Sequence, residues 1–71
     1  MREWLVKARQ QANLSQKAVC NRIGISQPTY WEYEHGDSTP TPANAKKIGE
    51  ILGFPWTRFY EDDNRKEGKA G

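Results

Sequence analysis

The stretch LSQKAVCNRIGISQPTYWEYEHG, Leu14 to Gly36, decides the fold of this 71-residue chain. Ser15 is a good N-cap, and after it Val19, Cys20 and Ile23 mark the inward face of a helix that stops at Gly24. Only Ile25 stands between that stop and the next cap, Ser26. The spacing predicts a second helix over 26–35. Pro28 lies in its first turn, where a missing N–H costs little, Tyr30 and Tyr33 share its inward stripe, and Gly36 ends it. A connection this short forces one helix to cross the other and leaves the outer face of the second one free.

Working outward, Trp4, Leu5, Ala8 and Ala12 fall on one helical stripe, which predicts a first helix over 2–12, and Asn13 tolerates the left-handed conformation that closes a helix. Beyond Gly36, Asp37-Ser38-Thr39-Pro40 is rich in turn formers, and Thr41-Pro42 repeats the pattern of an N-cap followed by proline. Ala45, Ile48 and Leu52 supply a fourth helix ending at Gly53, and Pro55 opens a short fifth helix carrying Trp56, Phe59 and Tyr60. Trp4, Tyr30, Tyr33, Phe54 and Phe59 fit a core at helical spacing. No strand-like alternation, internal repeat or low-complexity block is present, so the expected fold is all-α, with five helices around one core. From Glu61 onward the composition turns to charge and glycine, with no apolar residue larger than Ala70. Residues 1–61 are therefore expected to form the domain and 62–71 a disordered charged tail.

Composition narrows the function classes. A chain this short is one small domain, stable only if its helices pack well. The net charge of +2 is too small by itself to indicate a nucleic-acid partner, but its distribution is uneven. Residues 1–30 hold five bases (Arg2, Lys7, Arg9, Lys17, Arg22) against one acid, net +4, whereas 31–71 hold six bases against eight acids, net −2. The basic half carries the two-helix motif, which places a phosphate-facing surface there. The lone Cys20 cannot form an internal disulfide, and with a single His the chain lacks the ligands of a structural zinc site. Cys20 is expected to be an inert packing group in a reducing compartment. No apolar run approaches membrane-spanning length, and Arg2-Glu3-Trp4 followed by Lys7 and Arg9 does not resemble a secretory signal, so a cytoplasmic protein without a membrane partner is expected. One Cys, one His and no phosphate-cradling glycine loop give catalysis nothing to build on, and neither an enzyme nor a cofactor is expected.

Gln16, Ala18, Gly24-Ile25-Ser26, Tyr30, Glu34 and Gly36, with Pro40, Ile48, Leu52-Gly53 and Phe59, form a combination that resembles the lambda-repressor-like, Xre-type (Cro/repressor) helix-turn-helix family over about residues 4–61. Ala45-Lys46-Lys47-Ile48 through Leu52-Gly53-Phe54, with Trp56-Thr57, is also similar to small regulators of this family in Gram-positive bacteria and their mobile elements. The resemblance implies a repressor-like regulator of phage or mobile-element type that reads operator DNA in the major groove with helix 26–35, the helix-turn-helix being formed by helices two and three. It implies Gln16 as a phosphate clamp that also buttresses the reading helix, and Gln27 as a base reader, a role in which a Gln amide pairs with adenine N7 and N6. Glu32 lies at the other reading position, where a carboxylate accepts from a cytosine amino group and is repelled by phosphate. Arg9 and Glu34 match positions that form an internal ion pair.

Three departures from the family pattern stand out. Pro28 replaces a residue that in many relatives reads a base and offers only apolar contact, helix three contains no Lys or Arg, and Trp31 is a large aromatic expected on the outward face. Trp31 either covers a thymine methyl or the sugar backbone, or folds over helix two. Lys17 and Arg22, with helix N-terminal amides around Ser26, would supply the backbone grip. Thr29 offers its hydroxyl to a phosphate or is a plain surface threonine. His35 either contacts phosphate or serves as a cation at a helix C-terminus. Trp56, Phe59 and Tyr60 offer a weak homodimer contact on a palindromic operator. Two other readings remain open: an antitoxin of a toxin-antitoxin pair, and a protein-interaction module that has lost DNA binding.

Overall fold

A computed structural model describes residues 1–61. Four helices follow one another as α1 (Glu3–Gln11), α2 (Gln16–Ile23), α3 (Gln27–His35) and α4 (Pro42–Leu52), and a fifth helical stretch occupies 58–61. The expected tail over 62–71 lies outside the described residues.

Local chemistry sets the helix ends where the sequence places them. The side-chain oxygens of Ser15, Ser26 and Thr41 accept from the backbone N–H groups of Ala18, Thr29 and Asn44, each three residues on, which satisfies an amide the helix itself cannot. Gly24 ends α2 at φ +78, a left-handed conformation that a side chain would strain, and its N–H closes the helix on the Cys20 carbonyl at 2.8 Å. Asn13 takes the left-handed conformation at φ +59, as expected of it.

α2 packs against α3 and α4, and α1 against α3. Leu5, Val19, Cys20, Ile23, Tyr30, Tyr33, Ala45, Ile48, Leu52 and Phe59 form the buried core, with Ile25 of the turn packed against it. Trp4 and Phe54, expected inside, are only half-buried. They close the core edge-on, with Trp4 centred 5.0 Å from Phe54 and 5.2 Å from Phe59. Burial raises the Cys20 thiol above its ordinary pKa, which fits a packing group.

The structure corrects three expectations. The fifth helix is present over 58–61 but starts later than expected, since Pro55, Trp56 and Thr57 form a turn whose carbonyls accept from the N–H groups of Arg58, Phe59 and Tyr60, three residues on. Phe59 is fully buried between Trp4 and Phe54 and has no surface to offer a second subunit. Arg2 is 2% exposed and does not belong to a phosphate-facing surface. Its guanidinium donates to the carbonyls of Tyr33 (2.6 Å) and Ser38 (2.8 Å) and to the Thr39 hydroxyl (2.9 Å). A cation here meets the carbonyl end of α3, where the helix dipole favours it, and ties the start of α1 to the end of the second motif helix.

Candidate nucleic-acid interface

α3 is divided lengthwise into two chemistries. Tyr30, Tyr33 and Glu34 face inward and are buried, whereas Gln27, Pro28, Trp31 and Glu32 are exposed. Trp31 keeps 44% of its surface open, so it does not fold over α2. Its indole lies instead on the imidazole of His35, one turn further along, with ring centres 3.7 Å apart and planes 24° from parallel. Gln27, Trp31 and His35 therefore form one stripe at four-residue spacing along the uncovered face.

At the start of α3 the Ser26 hydroxyl serves as cap acceptor and lies 2.7 Å from the Thr29 hydroxyl, so this pair of hydroxyls and the first-turn amides sit together at the positive end of the helix. Thr29 is half-buried beside the cap. Near the far end of α3, the Ser38 hydroxyl donates to Glu32 Oε1 at 3.3 Å. Lys17 and Arg22 are exposed on α2, the helix packed next to α3.

Behind this face lies a buried polar hub. The Glu34 carboxylate, 2% exposed, accepts from Arg9 Nε at 2.6 Å, from Arg9 Nη2 at 3.4 Å and from Gln16 Nε2 at 2.9 Å. The ion pair implied by the resemblance is present. Arg9 also donates to the Leu14 carbonyl at 3.0 Å, so one guanidinium joins α1, α3 and the loop before α2. The bond to Glu34 raises the Arg9 pKa and keeps the guanidinium charged despite its partial burial. The Tyr30 hydroxyl, buried in the same region, is pushed far above the ordinary phenol range, first by loss of solvent and then by the adjacent carboxylate.

The bond from Gln16 to Glu34 ties the start of α2 to α3, the buttress that the resemblance implies, and leaves the amide oxygen and one N–H of Gln16 for other partners. A feature missed by sequence reading is the Trp31–His35 stack, although aromatics four apart on a helix are neighbours and that spacing was visible.

Trp56 and Tyr60 are half-buried, in edge-to-face contact at 5.7 Å, with Lys46 5.1 Å above the Trp56 ring. Tyr60 donates its hydroxyl to the Pro40 carbonyl at 2.9 Å and so holds the loop after α3. Among the described residues no cluster of His, Cys, Asp or Glu could hold a metal, and no helix is long and apolar enough to cross a membrane.

Comparison with known proteins agrees with this geometry. Residues 5–59 match the family model described as helix-turn-helix. The chain is 42% identical over 62 residues to the uncharacterized HTH-type transcriptional regulator YqaF of Bacillus subtilis (strain 168), covering 87% of this chain and 82% of that one. It is 32% identical over 54 residues to the cryptic phage CTXphi transcriptional repressor RstR of Vibrio cholerae, covering 76% of this chain and 49% of the repressor. RstR of the El Tor Inaba N16961 strain is 36% identical over 52 residues, 73% of this chain and 46% of that one. The chain thus spans about half the length of these repressors. No solved structure matches.

Proposed function

As a member of the helix-turn-helix family, to which it belongs through the match over residues 5–59, this chain is a DNA-binding regulator of transcription, and we propose that it lays α3 in the major groove of a specific operator. The observation that carries this reading is the uncovered outer face of α3, with Gln27, Trp31 and Glu32 exposed while the opposite face of the same helix is locked into the core. Gln27, the first residue of the helix, hydrogen-bonds a base edge, with adenine its best partner. Glu32 accepts from a cytosine amino group. Gln16, Lys17, Ser26 and Thr29 contact the phosphates flanking α3.

Residues 1–61 make up the DNA-binding unit. In keeping with the phage repressors it resembles, the protein acts as a repressor in the cytoplasm, on an operator whose half-sites, if two copies bind, are about 34 Å apart. Trp56 and Tyr60 form the contact between copies. Gel filtration and sedimentation with Trp56→Ala test that contact. Selection of bound duplexes from a random pool, repeated with Gln27→Ala, tests the reading role. Relaxed preference at one base pair supports it, while uniform loss across all sequences would assign Gln27 to positioning alone.

A further inference from the structure

The stacked pair on α3 gives the groove-facing surface a specific reading chemistry. We propose that Trp31, held flat by His35, reads the 5-methyl group of a pyrimidine in the major groove, a readout that rests on the operator-binding reading above. α3 carries no Lys or Arg, so the bidentate guanine contact is absent from its outer face, and the exposed residues of that face besides Gln27 and Glu32 are apolar, Pro28 and Trp31, one turn apart, with the half-buried His35 stacked on Trp31. The 5-methyl group is the apolar feature that a base pair presents in the major groove.

The stack removes the freedom that would otherwise blur such a contact. A lone exposed indole samples several rotamers, each pointing elsewhere. Here, with ring centres 3.7 Å apart and planes 24° from parallel, one face is covered by the imidazole and 44% of the residue remains open. His35 is thus a positioning residue, acting through Trp31.

The test uses the full chain and the duplexes selected from a random DNA pool. Each thymine of the preferred site is replaced singly by deoxyuridine, which deletes the methyl and keeps the Watson–Crick face. Wild type should lose about fourfold in affinity at one position, the worth of one buried methyl group. Trp31→Ala should bind intact and deoxyuridine-substituted sites equally. His35→Phe should keep the methyl dependence and His35→Ala should lessen it, a rescue that a charge contact with phosphate would not give. Placing cytosine or 5-methylcytosine at the sensitive position separates the methyl from its base: tighter binding of the methylated form means the methyl is read wherever it occurs, whereas equal binding means the site takes thymine only. A deoxyuridine scan without effect on wild type, or an unchanged penalty in Trp31→Ala, overturns the proposal and leaves operator binding standing. Failure to bind any duplex at low salt overturns both.

Discussion

Replacing Arg9 by Met while Glu34 stays in place removes two of the three hydrogen bonds on a carboxylate that is 2% exposed, leaving it only the amide of Gln16. The Coulombic partner goes with them. Stranding a buried charge in this way costs about 3–5 kcal/mol, and a chain of this length has a total stability of about 4–10 kcal/mol, so the variant should sit near its folding limit. In a thermal melt the shift should be on the order of 20 °C for so small a domain. Urea denaturation followed by tryptophan fluorescence gives the free energy directly. The companion variant Arg9→Met/Glu34→Met takes both charges out, and because an intact buried pair contributes little over well-packed apolar side chains, it should recover to within about 1 kcal/mol of wild type. The double-mutant cycle must then show strong coupling, with the second substitution reversing the first. A cost under about 1 kcal/mol for Arg9→Met, with additive energies in the cycle, would mean that Glu34 is solvated, and the hub would not be a buried structural element.

Three further outcomes follow from the same geometry. A Cβ on Gly49 would lie 2.6 Å from the Phe54 carbonyl oxygen and 3.3 Å from the Trp56 amide nitrogen, so Gly49→Ala must push the 53–56 turn away and should destabilise by about 1–3 kcal/mol in urea, despite the better helix propensity of alanine. Because the folded state holds the Tyr30 phenol above its unfolded pKa, that contribution is complete at neutral pH and is lost as pH rises past about 10, where the unfolded chain releases the proton first; Tyr30→Phe should flatten the alkaline loss of stability measured by denaturation at pH 8 to 11.5. Lys17→Ala should weaken binding to all duplexes alike and lower the salt-dependence slope by about one, whereas Gln27→Ala should leave the slope unchanged and alter base preference, as titrations at several salt concentrations would read.

What the chain displays in one dimension and what it conceals follow from the range of the interactions. Caps and turns are local: Ser15, Ser26, Thr41, Gly24 and Asn13 each act on backbone within about four residues, and each stands in the structure as its sequence signal requires. Arg2 is different. An arginine next to a helix start looks like any surface base, and the carbonyls it serves belong to residues 31 and 36 positions away. Gly49 likewise resembles a tolerated defect in a helix, because the carbonyl that forbids a side chain there comes from the turn after α4. On the outward face of α3 the exposure of Gln27, Trp31 and Glu32 was legible from periodicity alone, whereas the hold of Gln16 on α3 followed from the family resemblance and its partner, Glu34, comes within reach only after folding.

The lengthwise division of α3 has an evolutionary consequence. Its inner half is committed to Arg9, Gln16 and the core, while the exposed residues of its outer half lean on each other or on nearby loop groups. Substitutions there should each change stability by less than about 0.5 kcal/mol. A lineage can therefore rewrite which operator it addresses, letter by letter, on a frame whose folding never registers the edit.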